Sequence, residues 1–395
     1  MGLKSRNIKL KMKIISPVHI GTGNDLEPYN YVIKDNCIYF FELHNFVEKL
    51  NDENKNKLIE IITLTEEQKK KIEEIENVKE EIKYKKQISA SQLVNLRVFI
   101  KEIFNENDFK DIITHKYLIN NNDIIRVYKE KLEKTDVNSE NDSSIINQLL
   151  ISEMIRDGEY KPYIPGSTLK GALRHILIKK YKFEDIESDI GINNPFKTIS
   201  VSDTIDNDSL KEDIKYTKNF YIGTLNLNKS DTEYNSNVYM TEFIVPNDTE
   251  LELDIKTSFF KNFRDKIKED DEKGKIKENN KMKIYREIKN FFKDKQSVID
   301  LLKYNDSKID DVKKLFKSDH RFVVEVEKLR KEHGNRVAFM CIGKHVGYEI
   351  KEYSLPDKIK DSTKYKRYCV EKNFSVNDDI NDKIIDPIGW IAVYY

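Results

Sequence analysis

The sequence predicts an α+β chain of two modules, and three observations point there. Apolar and charged residues alternate strictly in short runs at residues 8–14 and 251–255, the period of a half-buried strand. Between such blocks lie long stretches of Glu, Lys, Leu and Ile with helical character, the first of them, residues 43–104, without any Gly or Pro. At 395 residues the chain exceeds one small domain and suits two of ordinary size.

The first predicted strand places Ile8, Leu10, Met12 and Ile14 on one face and Lys9, Lys11 and Lys13 on the other. Ser16 and Pro17 end it, and a glycine loop, Val18-His19-Ile20-Gly21-Thr22-Gly23, follows. Residues 31–33 and 37–41 are β-rich and flank Lys34-Asp35-Asn36, so they form a predicted hairpin. Residues 43–104 read as a charged helical arm, part of an insertion of about 43–150 that ends beyond a polar loop at 135–144. A second strand-rich block covers residues 220–257, with a Pro246-Asn247-Asp248 turn before Leu251, Leu253 and Ile255. A second charged helical insertion spans about 259–335, broken near Gly274. An apolar strand at 337–342 then opens onto Gly343-Lys344-His345-Val346-Gly347, and a closing strand at 388–395 carries Trp390. The modules are expected at 1–230 and 231–395.

Charge excludes a bulk attraction to nucleic acid, because 69 basic residues face 69 acidic ones. Any anion site is therefore local. Cys37, Cys341 and Cys369 are widely spaced and lack the pairing of a zinc site or a disulfide framework. No run of 18 apolar residues exists, and the basic residues of 1–13 lead into no signal-peptide core, so a soluble, cytoplasmic chain without membrane contact is expected.

Residues 162–174, PYIPGSTLKGALR, carry the most chemistry. Pro165 and Gly166 stop an extended stretch, Ser167 is placed to cap a helix, and Leu169, Ala172, Leu173, Ile176 and Leu177 recur at helical spacing. The free amides of Gly166, Ser167 and Thr168 at such a helix start suit a phosphate. Lys170 and Arg174 lie one turn apart, with Gly171 beside them. Residues 161–182 hold six Lys or Arg and no Asp or Glu. A plain solvated helix face is the alternative. If Gly166 meets a phosphate, Gly166→Val should spare the fold.

Several segments resemble the RAMP superfamily of CRISPR-associated proteins. Residues 162–174 are similar to its PYIPGSSLKGALR segment, and residues 16–23, SPVHIGTG, to its TPLHIGSG loop. Val201-Ser202-Asp203-Thr204 resembles the VSDS strand after the motif helix, and Glu242-Phe243-Ile244-Val245-Pro246 the strand pair opening the second module, with Asn247-Asp248 where the family has Gly. Residues 343–347 are similar to the second module's glycine loop. Pro387-Ile388-Gly389-Trp390 resembles the PLGW ending of the type III-A, or Csm, branch.

The resemblance implies two ferredoxin-like (RRM-like) modules with helical insertions, and a non-catalytic subunit that binds the 3′ part of CRISPR RNA. Implied partners are that RNA, the backbone RAMP subunit and the small helical subunit of the Csm complex, and host nucleases that trim the 3′ end; no cofactor or metal is implied. RNA contacts are expected at His19, Gly21, Thr22, Gly23, Gly166, Ser167, Thr168, Lys170, Arg174, Gly343, Lys344 and His345. Two other readings stay open: a guide-processing endoribonuclease with His19 as base, and a repeated backbone subunit. Backbone subunits cut RNA with an aspartate in a GGID context; here Asp25-Leu26-Glu27-Pro28 stands instead, so Asp25 and Glu27 read as surface acids. Leu26 also breaks any dinucleotide fingerprint begun by Gly21 and Gly23. Tyr348, Tyr353 and Tyr365 offer weak stacking signals.

Overall fold

The computed structural model describes residues 4–132, 149–181, 195–204, 207–221, 239–259, 278–343, 365–371 and 383–395. The predicted alternation becomes β1 (Lys4–Ile14), which leads through a short link into β2 (Gly21–Leu26). The expected glycine loop is thus shorter than its motif, because Gly21 onward pairs in a sheet. The hairpin forms as predicted from β3 (Tyr31–Lys34) and β4 (Cys37–Phe41). Its loop is the two residues Asp35 and Asn36, both at positive φ (52° and 60°), the backbone of a type I′ turn matched to strand twist.

The helical arm holds α1 (Leu43–Lys49), α2 (Asp52–Ile62), α3 (Glu66–Glu74) and α4 (Val78–Ile103). Asn51 caps α2, and Thr65 with Gln68 builds a full capping box on α3, which compensates for weak apolar faces. After α5 (Glu106–Phe109) the stretch contains a strand that its polar composition hides, β5 (Ile113–Leu118), paired with β4. Next come α6 (Asn122–Leu132), β6 (Ile151–Met154) and the motif helix α7 (Gly166–Tyr181). The second strand block is β7 (Ile199–Val201), β8 (Lys211–Tyr221), β9 (Tyr239–Val245) and β10 (Glu250–Phe259). Helices α8 (Glu278–Phe291), α9 (Lys295–Leu302), α10 (Asp306–Lys313) and α11 (Arg321–His333) precede β11 (Val337–Cys341), β12 (Tyr365–Glu371), β13 (Lys383–Asp386) and β14 (Trp390–Tyr394).

Three sheets result among the described residues: β11-β14-β1-β10-β7, β13-β12-β8-β9-β6-β2, and β3-β4-β5. The described strand pairs are antiparallel except β6 with β9. In the first sheet the sequence β1, α7, β7, β10, α8–α9, β14 follows the split βαββαβ path of a ferredoxin-like unit, with β11 as an added edge. Both larger sheets take strands from either side of residue 230. The fold class is α+β, as the sequence predicts.

Period-2 patterning decides the layers. Ile8, Leu10, Met12 and Ile14 of β1 bury one face against Leu169, Leu173 and Leu177 of α7 and Val298 to Leu302 of α9. At the other end of the sheet, Phe339, Trp390, Ala392 and Tyr394 point to the opposite face and pack on Phe322 and Val326 of α11. The solvent face of β1 carries diagonal pairs Lys9–Glu252 and Lys11–Glu250, more than 40% exposed and worth little individually. Lys13 differs: its side chain is 10% exposed and ties the sheet to α11 through Glu325 at 2.8 Å. Among the described residues no helix is long and apolar enough to cross a membrane.

Candidate nucleic-acid interface

The motif helix is fixed at its start by the strand that follows it. Ile164 N–H donates to Thr204 Oγ1 (2.9 Å), and Thr204 N–H returns a bond to the Ile164 carbonyl (3.1 Å). Gly166 N–H donates to Asp203 Oδ1 at 2.7 Å. The helix begins at Gly166, so Ser167 sits inside the first turn, exposed, and is not its cap. A carboxylate thereby occupies the first amide that was expected to meet a phosphate. Gly166 is buried, and a Cβ placed on it would lie 2.0 Å from the Val201 carbonyl oxygen and 2.8 Å from the Ser202 carbonyl carbon. Close backbone packing, not ligand access, demands glycine here, which overturns the expectation that Gly166→Val spares the fold.

Beyond this anchored start the helix presents cations. Thr168 and Lys170 are half-buried, and Gly171 is exposed with open space around it. The Arg174 guanidinium lies 5.3 Å from the centroid of the Phe196 ring, within reach of a cation–π contact. Lys197, exposed, completes the group; the sequence reading missed it because it lies outside the motif. Burial lowers the pKa of Lys170, and repulsion from Arg174 and Lys197 adds to that. None of the three is ion-paired among the described residues.

The other expected contacts divide. His19 is fully buried; its Nδ1 bonds the Glu242 carbonyl (2.8 Å) and its ring meets Phe243 edge-on. It cannot touch a solvent-borne RNA or act as its base, and serves to fix the link between β1 and β2. Gly343 presses on the same residue: at φ 95°, its Cβ position lies 2.3 Å from the His19 carbonyl oxygen. This glycine too is a packing residue. Gly21 is half-buried in β2, while Thr22 and Gly23 are exposed in a bulge where β2 leaves β6. Lys344 and His345, like Tyr348 and Tyr353, lie outside the described residues. Asp25 accepts a bond from Ser152 (3.0 Å). Glu27 is no free surface acid: it faces the buried Arg97 at 3.4 Å, and burial raises its pKa against that pull. No cluster fit for a metal exists among the described residues.

A lone Glu242 in the apolar run of β9 was the overlooked signal of a buried polar network. Glu242 has no solvent exposure. Its Oε1 accepts from Tyr117 Oη (2.8 Å) and Arg156 Nη2 (2.9 Å), and its Oε2 from Met154 N–H (2.9 Å). His115 Nε2 stands 3.7 Å away, and Arg156 also pairs with Glu212. Burial alone would raise the Glu242 pKa. His115, the Arg156 charge and the Met154 amide more than offset it, holding the carboxyl at about 2.

The profile of the RAMP superfamily matches residues 11–373. Two curated proteins named CRISPR system Cms protein Csm5 are similar: one from Enterococcus italicus, 24% identical over 173 residues, and one from Streptococcus thermophilus, 23% identical over 189. The matched stretches are 43% and 47% of this chain and 42% and 43% of those relatives, less than half of either length. A chain in the cryo-EM structure of a Csm–crRNA–target RNA ternary complex of a type III-A CRISPR-Cas system has the same fold with a TM-score of 0.51, covering 98% of this chain and 99% of that one at 13% identity.

Two outcomes are expected from this geometry. Gly166→Ala should cost about 1–3 kcal/mol, the range for overpacking, seen as a lower melting temperature without RNA present; unchanged melting would mean that β7 yields freely. Glu242→Gln removes the charge that faces Arg156 and should cost about 3–5 kcal/mol at pH 7. Because the folded carboxyl is depressed from the usual 4.5 to about 2, its stabilisation is complete above pH 4.5 and fades as pH falls towards 2. Denaturant titrations at pH 7 and pH 3 should therefore show the gap between wild type and Glu242→Gln narrowing at pH 3.

Proposed function

Because the chain belongs to the RAMP superfamily, we propose that it is an RNA-binding subunit of a type III-A CRISPR (Csm) effector complex, holding the 3′ part of the CRISPR RNA. The observation that carries this reading is the group Lys170, Arg174 and Lys197, three cations without ion pairs among the described residues of a chain with zero net charge. The names of the relatives and the full-length likeness to a Csm-complex chain support the assembly.

The mechanism is binding. Lys170 supplies a point charge and Arg174 a planar, ring-backed fork for phosphate oxygens, while open space at Gly171 lets a sugar-phosphate strand approach. Such contacts fix position and register and carry no sequence information. The partners in this reading are the CRISPR RNA, the backbone subunit and the small helical subunit. The 3′ end would be trimmed by host nucleases acting on the assembled complex in the cytoplasm. Burial of His19 supports this reading over that of a guide-cutting enzyme with His19 as base.

Single-stranded RNA affinity should fall with each tenfold rise in salt by about 0.7 log units per phosphate neutralised. Lys170→Ala, Arg174→Ala and Lys197→Ala should each flatten that slope by somewhat less than one unit and weaken all sequences alike. Salt-insensitive binding would sink the assignment of these residues. Purified protein should also leave end-labelled precursor RNA intact; a defined cut, lost in a single-site variant, would make the subunit an enzyme.

A further inference from the structure

The loop that delivers the chain to the motif helix displays one aromatic ring under unusual constraint. Tyr160 has φ 60°, left-handed backbone that bulky side chains avoid at a cost of about 1–3 kcal/mol. The loop enforces it. Tyr160 N–H donates to the Asp157 carbonyl (3.1 Å), and its own carbonyl accepts from Arg156 Nη1 (3.2 Å). Asp157 Oδ1 takes the amides of Glu159 and Lys161, both at 2.9 Å, and Arg156 and Pro162 close the loop as a β-bridge. Arg156 is itself fixed by Glu242 and Glu212. The loop is thus anchored to the buried network.

The fold gains little from this tyrosine. The residue is 43% exposed, and its hydroxyl has no hydrogen bond among the described residues. Its ring runs within 16° of parallel to His115 at a centroid distance of 6.3 Å, an offset contact near the outer end of the usual aromatic range. Behind it His115 stacks on Phe40 at 4.2 Å and 7°. Glycine or asparagine would satisfy the backbone at lower cost. A rigidly presented, part-exposed aromatic ring at the end of a file of near-parallel rings is a stacking platform for a flat, unpaired ring.

We propose that Tyr160 stacks a nucleobase of bound single-stranded RNA, at a position where charge does not supply the grip. Neighbouring Lys161 is already paired with Glu159 and Asp208. Stacking is tolerant of base identity, because every base has a π-face. It therefore complements the sequence-blind phosphate contacts of Lys170 and Arg174, and the inference rests on the RNA-binding reading above.

The test compares the full-length chain with Tyr160→Phe, Tyr160→Gly and Tyr160→Asn, using an oligoadenylate and an abasic oligonucleotide of equal length as probes. Gly and Asn relieve the backbone, so melting temperatures should hold or rise. Oligoadenylate binding should weaken about 5- to 150-fold in Tyr160→Gly and Tyr160→Asn, and stay near wild type in Tyr160→Phe. Abasic binding should be equal in all four proteins. Equal oligoadenylate binding in wild type and Tyr160→Gly would overturn the stacking role, as would a parallel loss on the abasic probe. Unchanged RNA binding with loss of a partner subunit would assign the ring to a protein contact and overturn it too. If the wild type bound neither probe, the RNA-binding reading itself would fall, an outcome distinct from the others.

Discussion

A carboxylate cut off from water has to be surrounded by donors, and Glu242 imposes that requirement on three parts of the chain at once. Tyr117 and His115 come from β5, the Met154 amide from the end of β6, and Arg156 from the loop beyond it. The three-stranded sheet is thereby tied to the six-stranded one through side chains rather than through a shared ladder. The backbone of the same residue reaches further. Its carbonyl receives His19, and the His19 carbonyl is where Gly343 packs. One residue thus sets the approach of β2, β5, β6 and the segment after β11. Satisfying a buried charge is costly, and the return is a defined geometry, because each donor fits in one arrangement only.

The motifs that carry the family resemblance act mainly as joints of this kind. Ser16 Oγ accepts the Trp390 amide (2.8 Å), the Trp390 carbonyl takes the amides of Ile15 and Ser16, and Gly389 N–H donates to the Pro17 carbonyl (2.7 Å). The SPVHIGTG segment and the PIGW ending are therefore two halves of one junction between β1 and β14. Likewise the YIPGST and VSDT segments interlock through Ile164, Thr204, Gly166 and Asp203. Glycine at 166 and 343 permits backbones to touch. Past that secured start, the next two turns of the motif helix carry Lys170 and Arg174, one turn apart.

This explains which features were legible in the sequence. The strand at β1, the Asp35-Asn36 hairpin and the capped helices of the arm follow from local rules of period, turn chemistry and capping, so their residues announce them. β5 does not, because only its pairing with β4 and the contacts of His115 and Tyr117 make a strand of a polar stretch. The partners of β1 are β10 and β14, from the far half of the chain, and no local pattern encodes such pairing. The candidate site was legible as a basic segment, but Lys197 joins it only through the fold. The roles of His19 and Gly166 were misread because glycine and histidine beside a turn look the same in sequence whether they face a ligand or another backbone.

Some of the lysines of this chain of zero net charge are spent in local pairs. On the arm, Lys57–Glu53, Lys69–Glu66 and Lys85–Glu81 pair within single helices, and on β1 Lys9 and Lys11 pair across the sheet. Each pair is weak, yet each cancels a local field that would otherwise attract phosphate anywhere on the surface. Lys55, Lys70, Lys79, Lys83 and Lys86 of the same arm have no ion pair among the described residues either, so what sets Lys170, Arg174 and Lys197 apart is their proximity to one another, and a polyanion responds to local potential and not to the total. Burial chiefly, and repulsion from Arg174 and Lys197 in addition, lowers the pKa of Lys170, and an anion placed beside the three would offset that repulsion.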